Sequence, residues 1–576
     1  MDAEPTHSMI AKIRLALAAT LGLVAGFAPA PTVLADPLPS GAYLAGRTAS
    51  LASDFGAAKR YYTEAVARDP GNLRLLENAL VAYVGLGDID GGRPIARQLV
   101  DKGTESQLAG LVMLAANLKS GDFDAVESAF DAGASYSPLI DGLVRGWALL
   151  GQGRMSDASA QFDEVSSSGA MADFGQYHKA LALAVVGDFE GADAILSQGS
   201  GAAARVSRGA LVAHAQILSQ LERNAEALEM LNDALQGASD PRLEALRDRI
   251  EAGETVAYDF ITTAQDGAAE VFYALASALR PEASAQHTLL YARMAEYLRP
   301  DSLDILLLSA ELLEDMGQFD LATATYDKVP RDHPGFYSAE SGRAQALYSA
   351  GKPDAAVEVL KQLAKSRPEI PNIHISLGDM LRREERYEEA ATAYDRALDL
   401  LPDPQPTHWF IYYARGIVHE RIDDWPQAEA DFRKALELSP GQPLVLNYLG
   451  YSLVEKREKL DEALAMIEQA VEARPNDGYI TDSLGWVLYR LGRYAEAVVP
   501  MERAVELLPV DPIVNDHLGD VYWMVGRKLE AEFQWKRALS FDPEPEEEKR
   551  IRRKLEVGLD QVLEDEGEMA VSQNGN

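Results

Sequence analysis

Adjacent carboxylates at Glu384-Glu385 and Glu388-Glu389 are the residue type that glycoside hydrolysis uses, one carboxyl protonating the leaving oxygen while the other attacks or activates water. They flank a turn in a chain with 90 acidic residues, so a solvated face accounts for them more simply. Nine histidines are scattered. His408 and His419 are too far apart along one helix to share an ion, and His517 lies inside a repeated pattern where a packed or surface role suffices. HExxH, GxSxG and GxxxxGK[ST] are absent, and the lone Gly351-Lys352 falls in a turn. No catalytic, metal-ligating or cofactor-binding set is expected, and the chain reads as a non-enzyme.

Composition narrows the partners. The formal net charge is -36 in 576 residues while 47% of residues are hydrophobic, so the acidity decorates a chain able to fold. Nucleic acid and anionic headgroups are poor partners for such a surface. The basic run Lys549, Arg550, Arg552, Arg553 and Lys554 follows Glu546 to Glu548 and reads as a solvated helix face. With no cysteine, disulfides, thiol nucleophiles, thiolate metal sites and cysteine-linked lipid are excluded.

Lys12 and Arg14 precede an apolar run that ends at Val33-Leu34-Ala35 before Asp36, the layout of a secretory leader cleaved near Ala35. Asp2 and Glu4 are unusual ahead of such a segment, which makes Met9 an alternative start. Gly22, Gly26, Pro29 and Pro31 shorten the apolar stretch below a comfortable membrane span, and no later stretch reaches the roughly twenty apolar residues required. Export to a periplasm, without an integral span after cleavage, is the expectation.

The elements that would position any site come from a repeat. Gly416…Ala428, Gly485…Ala497 and Gly519…Ala531 place a small residue on one helical face and alanine on the next helix. In the unit from Trp409 to Gln442, Asp423-Asp424 turns the chain, Phe432 and Ala435 line the second helix, and Pro440 ends it. Gly378, Gly450 and Gly46 head further units, and Ala310 and Ala344 head weaker ones. Between 71 and 300 the turn phrases GLGDIDGG, KSGDFDAV, GQGRMSDA, VVGDFEGA and QLERNAEA keep the rhythm, giving about thirteen units in all. Divergence is greatest at 71–110 and 236–300. Ile551, Leu555, Leu559 and Leu563 predict a terminal helix that covers the last unit.

This pattern resembles the tetratricopeptide repeat, whose small residue, alanine, large apolar residue, alanine and proline are matched by Gly485, Ala497, Met501, Ala504 and Pro509, and by Gly519, Ala531, Trp535, Ala538 and Pro543. The resemblance is to an exported bacterial protein of alphaproteobacterial type and implies an all-α, right-handed superhelical solenoid of helix-turn-helix repeats. The expected divisions are a leader at 1–35, a divergent solenoid at 36–300, a regular one at 301–543, and a capping helix with a disordered acidic tail at 544–576.

In the family the first helices line the concave side, with positions 2, 5, 9, 12 and 13 pointing inward. Carried over, these positions give Tyr413, Tyr451, Trp486, Tyr489 and Trp523, with Asp482, Asp516, Asp520 and Arg490 beside them. Aromatic series of this kind serve recognition, and equally they complete the interior between neighbouring first helices. The family's lysine-rich carboxylate clamp is unmatched, since Asn447, Asp482 and Asp516 stand there. Arg382 and Arg383 fall on the same face one unit earlier, beyond the aromatic strip.

The resulting expectation is a non-enzymatic scaffold that holds a protein or extended peptide, basic or neutral, and assists envelope assembly or export, with peripheral association to an envelope complex. The alternatives are a structural spacer or cap in a secretion or polysaccharide complex, and an unrecognised enzyme.

Overall fold

A computed structural model describes residues 40–567 apart from 168, 199–207 and 236–239. The expected leader and the end of the acidic tail lie outside the described residues. Those described form helices joined by short turns, with no strand among them. The turn phrases explain the punctuation. In KSGDFDAV, Gly121 takes a left-handed φ of 72° and ends one helix, while the Asp122 side chain accepts from the Ala125 amide and starts the next. Gly187 and Asp188 repeat the device.

Within a repeat, the two helices approach where one side chain is missing. A Cβ at Gly416 would lie 2.7 Å from the Phe432 ring, and one at Gly378 would lie 2.7 Å from the Tyr394 ring. Gly450 meets Ile467, Gly485 meets Met501 and Gly519 meets Trp535 in the same way. The alanines opposite, including Ala428 and Ala531, are fully buried. Each small residue therefore holds the pair close enough for the large residue to fill the interior.

The chain divides into two compact units between Leu363 and Ala364. The expected division at 300/301 separates irregular from regular repeats, whereas this one separates regions of dense packing.

In the first unit, helix pairs from Ser40–Leu51 through Asn224–Ala234 form a row of repeats. The stretch that diverges most from the repeat has a distinct use: the helices Ala264–Leu279 and Ala285–Leu298 pack on the first helices Leu73–Gly85, Gln107–Ser120 and Pro138–Gly151. Gly267 lies so close to the Trp147 indole that any side chain there would enter the ring. Tyr177 donates to Glu270 at 3.0 Å, and the buried Arg293 donates to the Gly85 carbonyl at 3.2 Å.

Ahead of these helices runs a non-helical stretch that the Arg208–Gln220 helix grips by its backbone. Gln216 accepts from the Asp259 and Phe260 amides at 3.1 Å each and donates to the Asp259 carboxylate at 2.6 Å. Ser219 accepts from the Val256 amide at 2.9 Å, and Gln220 donates to the Val256 carbonyl at 2.7 Å. Val256, Phe260 and Ile261 are buried. The first unit thus fills its own first-helix face.

The second unit stacks five regular pairs, from Pro371–Arg383 with Tyr387–Asp399 to Pro512–Met524 with Lys528–Leu539. The extra residue in the turn before Leu460 is absorbed by left-handed backbone at Arg457 and Lys459. The terminal helix expected as one element is two, Pro545–Val557 and Leu559–Asp565. Gly558, at φ 86°, breaks them apart where the Trp523 indole leaves no room for a Cβ. Ile551, Leu559 and Leu563 are buried, as covering the last repeat requires.

Replacing Gly416 by Val should lower the stability of the second unit by about 1–3 kcal/mol through overpacking against Phe432; an unchanged urea midpoint would refute the close-approach account. Gln216→Ala should cost about 1–3 kcal/mol and speed hydrogen exchange at the Asp259 and Phe260 amides, because donors buried there lose their acceptor. Unchanged protection of both amides would show that Gln216 does not hold the segment.

Candidate functional site

In the second unit the first helices carry a cleft of about 390 Å³. Tyr448, Tyr451, Tyr479, Ile513 and Val514 line it with apolar surface and Glu420, Glu455, Asp482 and Asp511 with carboxylates, and Arg421 and His517 are also on the wall. Helix starts place several of these groups. Pro443 and Pro512 occupy first-turn positions where no backbone donor is lost. Asp511 caps its helix by accepting from the Val514 amide at 3.0 Å and also accepts from the Tyr479 hydroxyl at 3.2 Å.

The structure sets Asp482 and Trp486 against His517, stacks Tyr489 on Trp486, and places Tyr451 in the same cleft lining as His517. The Trp486 ring stacks on Tyr489 at 4.8 Å and on His517 at 4.0 Å, and its indole N–H donates to Glu455 at 2.6 Å. Trp486 and Tyr489 are each only 7% exposed, so packing claims most of their surface. Arg490 sits over the Trp486 ring at 5.9 Å. Tyr451 lines the cleft, and burial pushes its hydroxyl pKa upward. Tyr413 packs against Phe432 and Tyr448, at 6.1 and 5.9 Å, and supports the wall residue Tyr448 rather than lining the cleft itself.

The last three residues of the expected set meet the chain's own carboxyl-terminal helices. The buried Lys554 ammonium donates to Asp516 at 2.7 Å and to Asp520 at 2.6 Å, and Trp535 donates to Asp520 at 2.9 Å. Burial raises the pKa of Asp520 despite the opposing pull of Lys554. The Trp523 indole donates to Asp560 at 3.0 Å beneath Gly558. Asp516, Asp520 and Trp523 are thereby engaged within the chain.

The sequence reading passed over Glu420, Tyr448, Glu455, Tyr479 and His517 as wall residues. Glu420, Glu455 and Tyr479 stand at the inward positions 12, 13 and 2 of the repeat pattern, so register alone carries the signal for them, whereas Tyr448 and His517 fall outside the inward positions. Among the described residues no group of three or more histidines, aspartates or glutamates has the geometry to hold a metal ion. The cleft's equipment is aromatic surface, hydroxyls and carboxylates, which suits binding of neutral or cationic groups.

His517 is buried, with 8% of its surface exposed on the cleft wall. Burial disfavours its charged form, but attraction to Asp482, the hydrogen bond between them at 3.0 Å and the charges of Asp516 and Asp520 outweigh it and raise the pKa above 6.5. A raised folded-state value means that this contribution to stability is fully present below the unfolded value of 6.5 and is lost as pH rises through the folded one. Wild type should therefore lose stability relative to His517→Gln as pH rises above 6.5. Denaturation midpoints with the same pH slope in both proteins would contradict the pairing.

The family model for the tetratricopeptide repeat matches residues 341–403, 413–477 and 449–512. The TPR repeat-containing protein PA4667 of Pseudomonas aeruginosa is 31% identical over 185 residues, 31% of this chain and 30% of that protein. Tetratricopeptide repeat protein 13 of Homo sapiens is 25% identical over 179 residues, 30% of this chain and 20% of its own length. The chain thus spans less than a third of either relative. The Cut9–Hcn1 hetero-tetramer of APC/C aligns over 89% of this chain and 96% of the matched chain, at 15% identity and a TM-score of 0.38. Residues 341–403 and 413–512 thus carry tetratricopeptide repeats, matched in sequence and formed as helix pairs in the structure.

Proposed function

We propose that the cleft on the second unit's first helices holds a basic or neutral segment of another protein, making the chain a scaffold for assembly or export in a bacterial envelope. The interaction role rests on the repeat family and on the tyrosine-lined, carboxylate-bordered cleft. Preorganised helices reduce the ordering required of the site, and the tyrosines offer large contact area with few rotors to immobilise. The envelope setting is supported by the leader-like residues 1–35. Among the described residues no helix is long and apolar enough to cross a membrane, which agrees with peripheral association.

The first unit favours a complementary role. Because its own segment and helices cover its first-helix face, it suits a spacer or cap within a larger complex.

A photoreactive residue at position 451 should yield a discrete protein adduct in intact cells, while one at Val499, 72% exposed on a second helix, should not. Glu420→Lys together with Asp511→Lys should weaken that adduct about tenfold by reversing the local charge. No adduct from 451 in a folded, abundant protein would overturn the cleft assignment.

A further inference from the structure

Four successive first helices in the second unit carry a large apolar residue directly after their first residue. Phe410 follows Trp409, Leu444 follows Pro443, Tyr479 follows Gly478 and Ile513 follows Pro512. All four are open to solvent, at 41%, 36%, 60% and 43% exposure. Leaving apolar surface exposed at the same register in four consecutive repeats is costly without a partner, because none of the four completes the core. In the preceding repeat that register holds Asn372, so the ladder begins at Phe410.

Spacing says what fits. The helices Pro443–Glu455 and Gly478–Arg490 are direct neighbours, as are Gly478–Arg490 and Pro512–Met524. Axes of packed helices lie about 8–10 Å apart, so the rungs at Leu444, Tyr479 and Ile513 recur at about that interval. A polyproline-II segment advances about 3.1 Å per residue with three residues per turn and returns a side chain to the same face every ~9.3 Å. A β-strand repeats a face every ~6.6 Å and falls out of step by the second rung.

Charge completes the description. Asp511 is bound to the Tyr479 hydroxyl, and Glu420, Glu455 and Asp482 line the adjoining cleft together with Tyr479 and Ile513. The first unit shows that a first-helix face of this chain can hold a non-helical segment, since Gln216, Ser219 and Gln220 bind the backbone between Val256 and Phe260.

We infer that Phe410, Leu444, Tyr479 and Ile513 dock a partner segment in polyproline-II conformation, about ten residues long, apolar at every third position and carrying lysine or arginine between. This deepens the scaffold reading and rests on it. The rungs seat the apolar side chains, and the neighbouring carboxylates receive the basic ones.

The test uses the full chain and fluorescein-labelled decapeptides read by anisotropy. One peptide has leucine at every third position with lysine and proline between. A second has the same composition with leucines at alternate positions, and a third replaces lysine by glutamate.

The first peptide should bind about tenfold more tightly than either other, and the combined change of Phe410, Leu444, Tyr479 and Ile513 to Ser should remove that preference while leaving the circular dichroism spectrum and thermal midpoint unchanged. Equal binding of the first two peptides, or a preference that survives the four substitutions, would overturn the ladder. Crosslinking from position 451 in the four-serine protein separates the two readings. An adduct that persists at wild-type yield in the four-serine protein leaves the scaffold standing without the ladder, whereas a wild-type protein that shows neither adduct nor peptide preference removes both.

Discussion

The architecture depends on a missing side chain. At Gly378, Gly416, Gly450, Gly485 and Gly519 the first helix of a repeat presents bare backbone to Tyr394, Phe432, Ile467, Met501 and Trp535 of the second. That contact sets the spacing of the pair, and the large residue it admits fills the interior against the next repeat. Once the spacing is fixed, the remaining positions of each first helix fall into rows, so that one register becomes core, another becomes cleft wall and another is left outside.

The same first-helix face is used in two ways. In the first unit Trp147, directly after Gly146, is fully buried against the helix that contains Gly267, and Gln216 at the corresponding register binds a non-helical stretch. In the second unit that register holds Tyr451 in an open cleft and Trp486 stacked on His517. In the last repeat it holds Asp520, which together with Asp516 neutralises the buried Lys554. A buried ammonium is tolerable there because the Asp516 and Asp520 carboxylates accept its hydrogen bonds, and removing both would leave its charge uncompensated in a poor solvent. The acidic strip is therefore closed at its far end by the chain's own lysine and remains open between Glu420 and Asp511.

Much of the fold was legible because the repeat is local. Gly-Asp turns, the Gly…Ala spacing and the prolines act within one helix pair, and residues a few positions apart suffice to read them. The site was legible in part. Inward positions could be assigned by register, yet register does not reveal what stands opposite, and so Trp486, Tyr489 and Trp523 look alike in sequence while the first two pack against their neighbours and the third lies under a terminal helix. Filling of the first unit's face could not be read at all: Arg293 meets Gly85 and Glu270 meets Tyr177 across long separations that no local pattern encodes. The divergence of residues 236–300 from the repeat was the available trace. Within that stretch, residues 256–261 and the helices Ala264–Leu279 and Ala285–Leu298 serve a different packing role and are free of the repeat's constraints.

The contrast between a filled and an open face is the central claim, and the absence of cysteine makes it directly measurable by thiol labelling. Single-cysteine proteins Ala115→Cys, on the first unit's first-helix face where Ala115 is fully buried, and Ile513→Cys, on the second unit's exposed register, would be reacted with a maleimide under native conditions. The account predicts that position 513 labels at the rate of a free thiol while position 115 reacts only as fast as the first unit opens. Equal rates at the two positions in folded protein would contradict it.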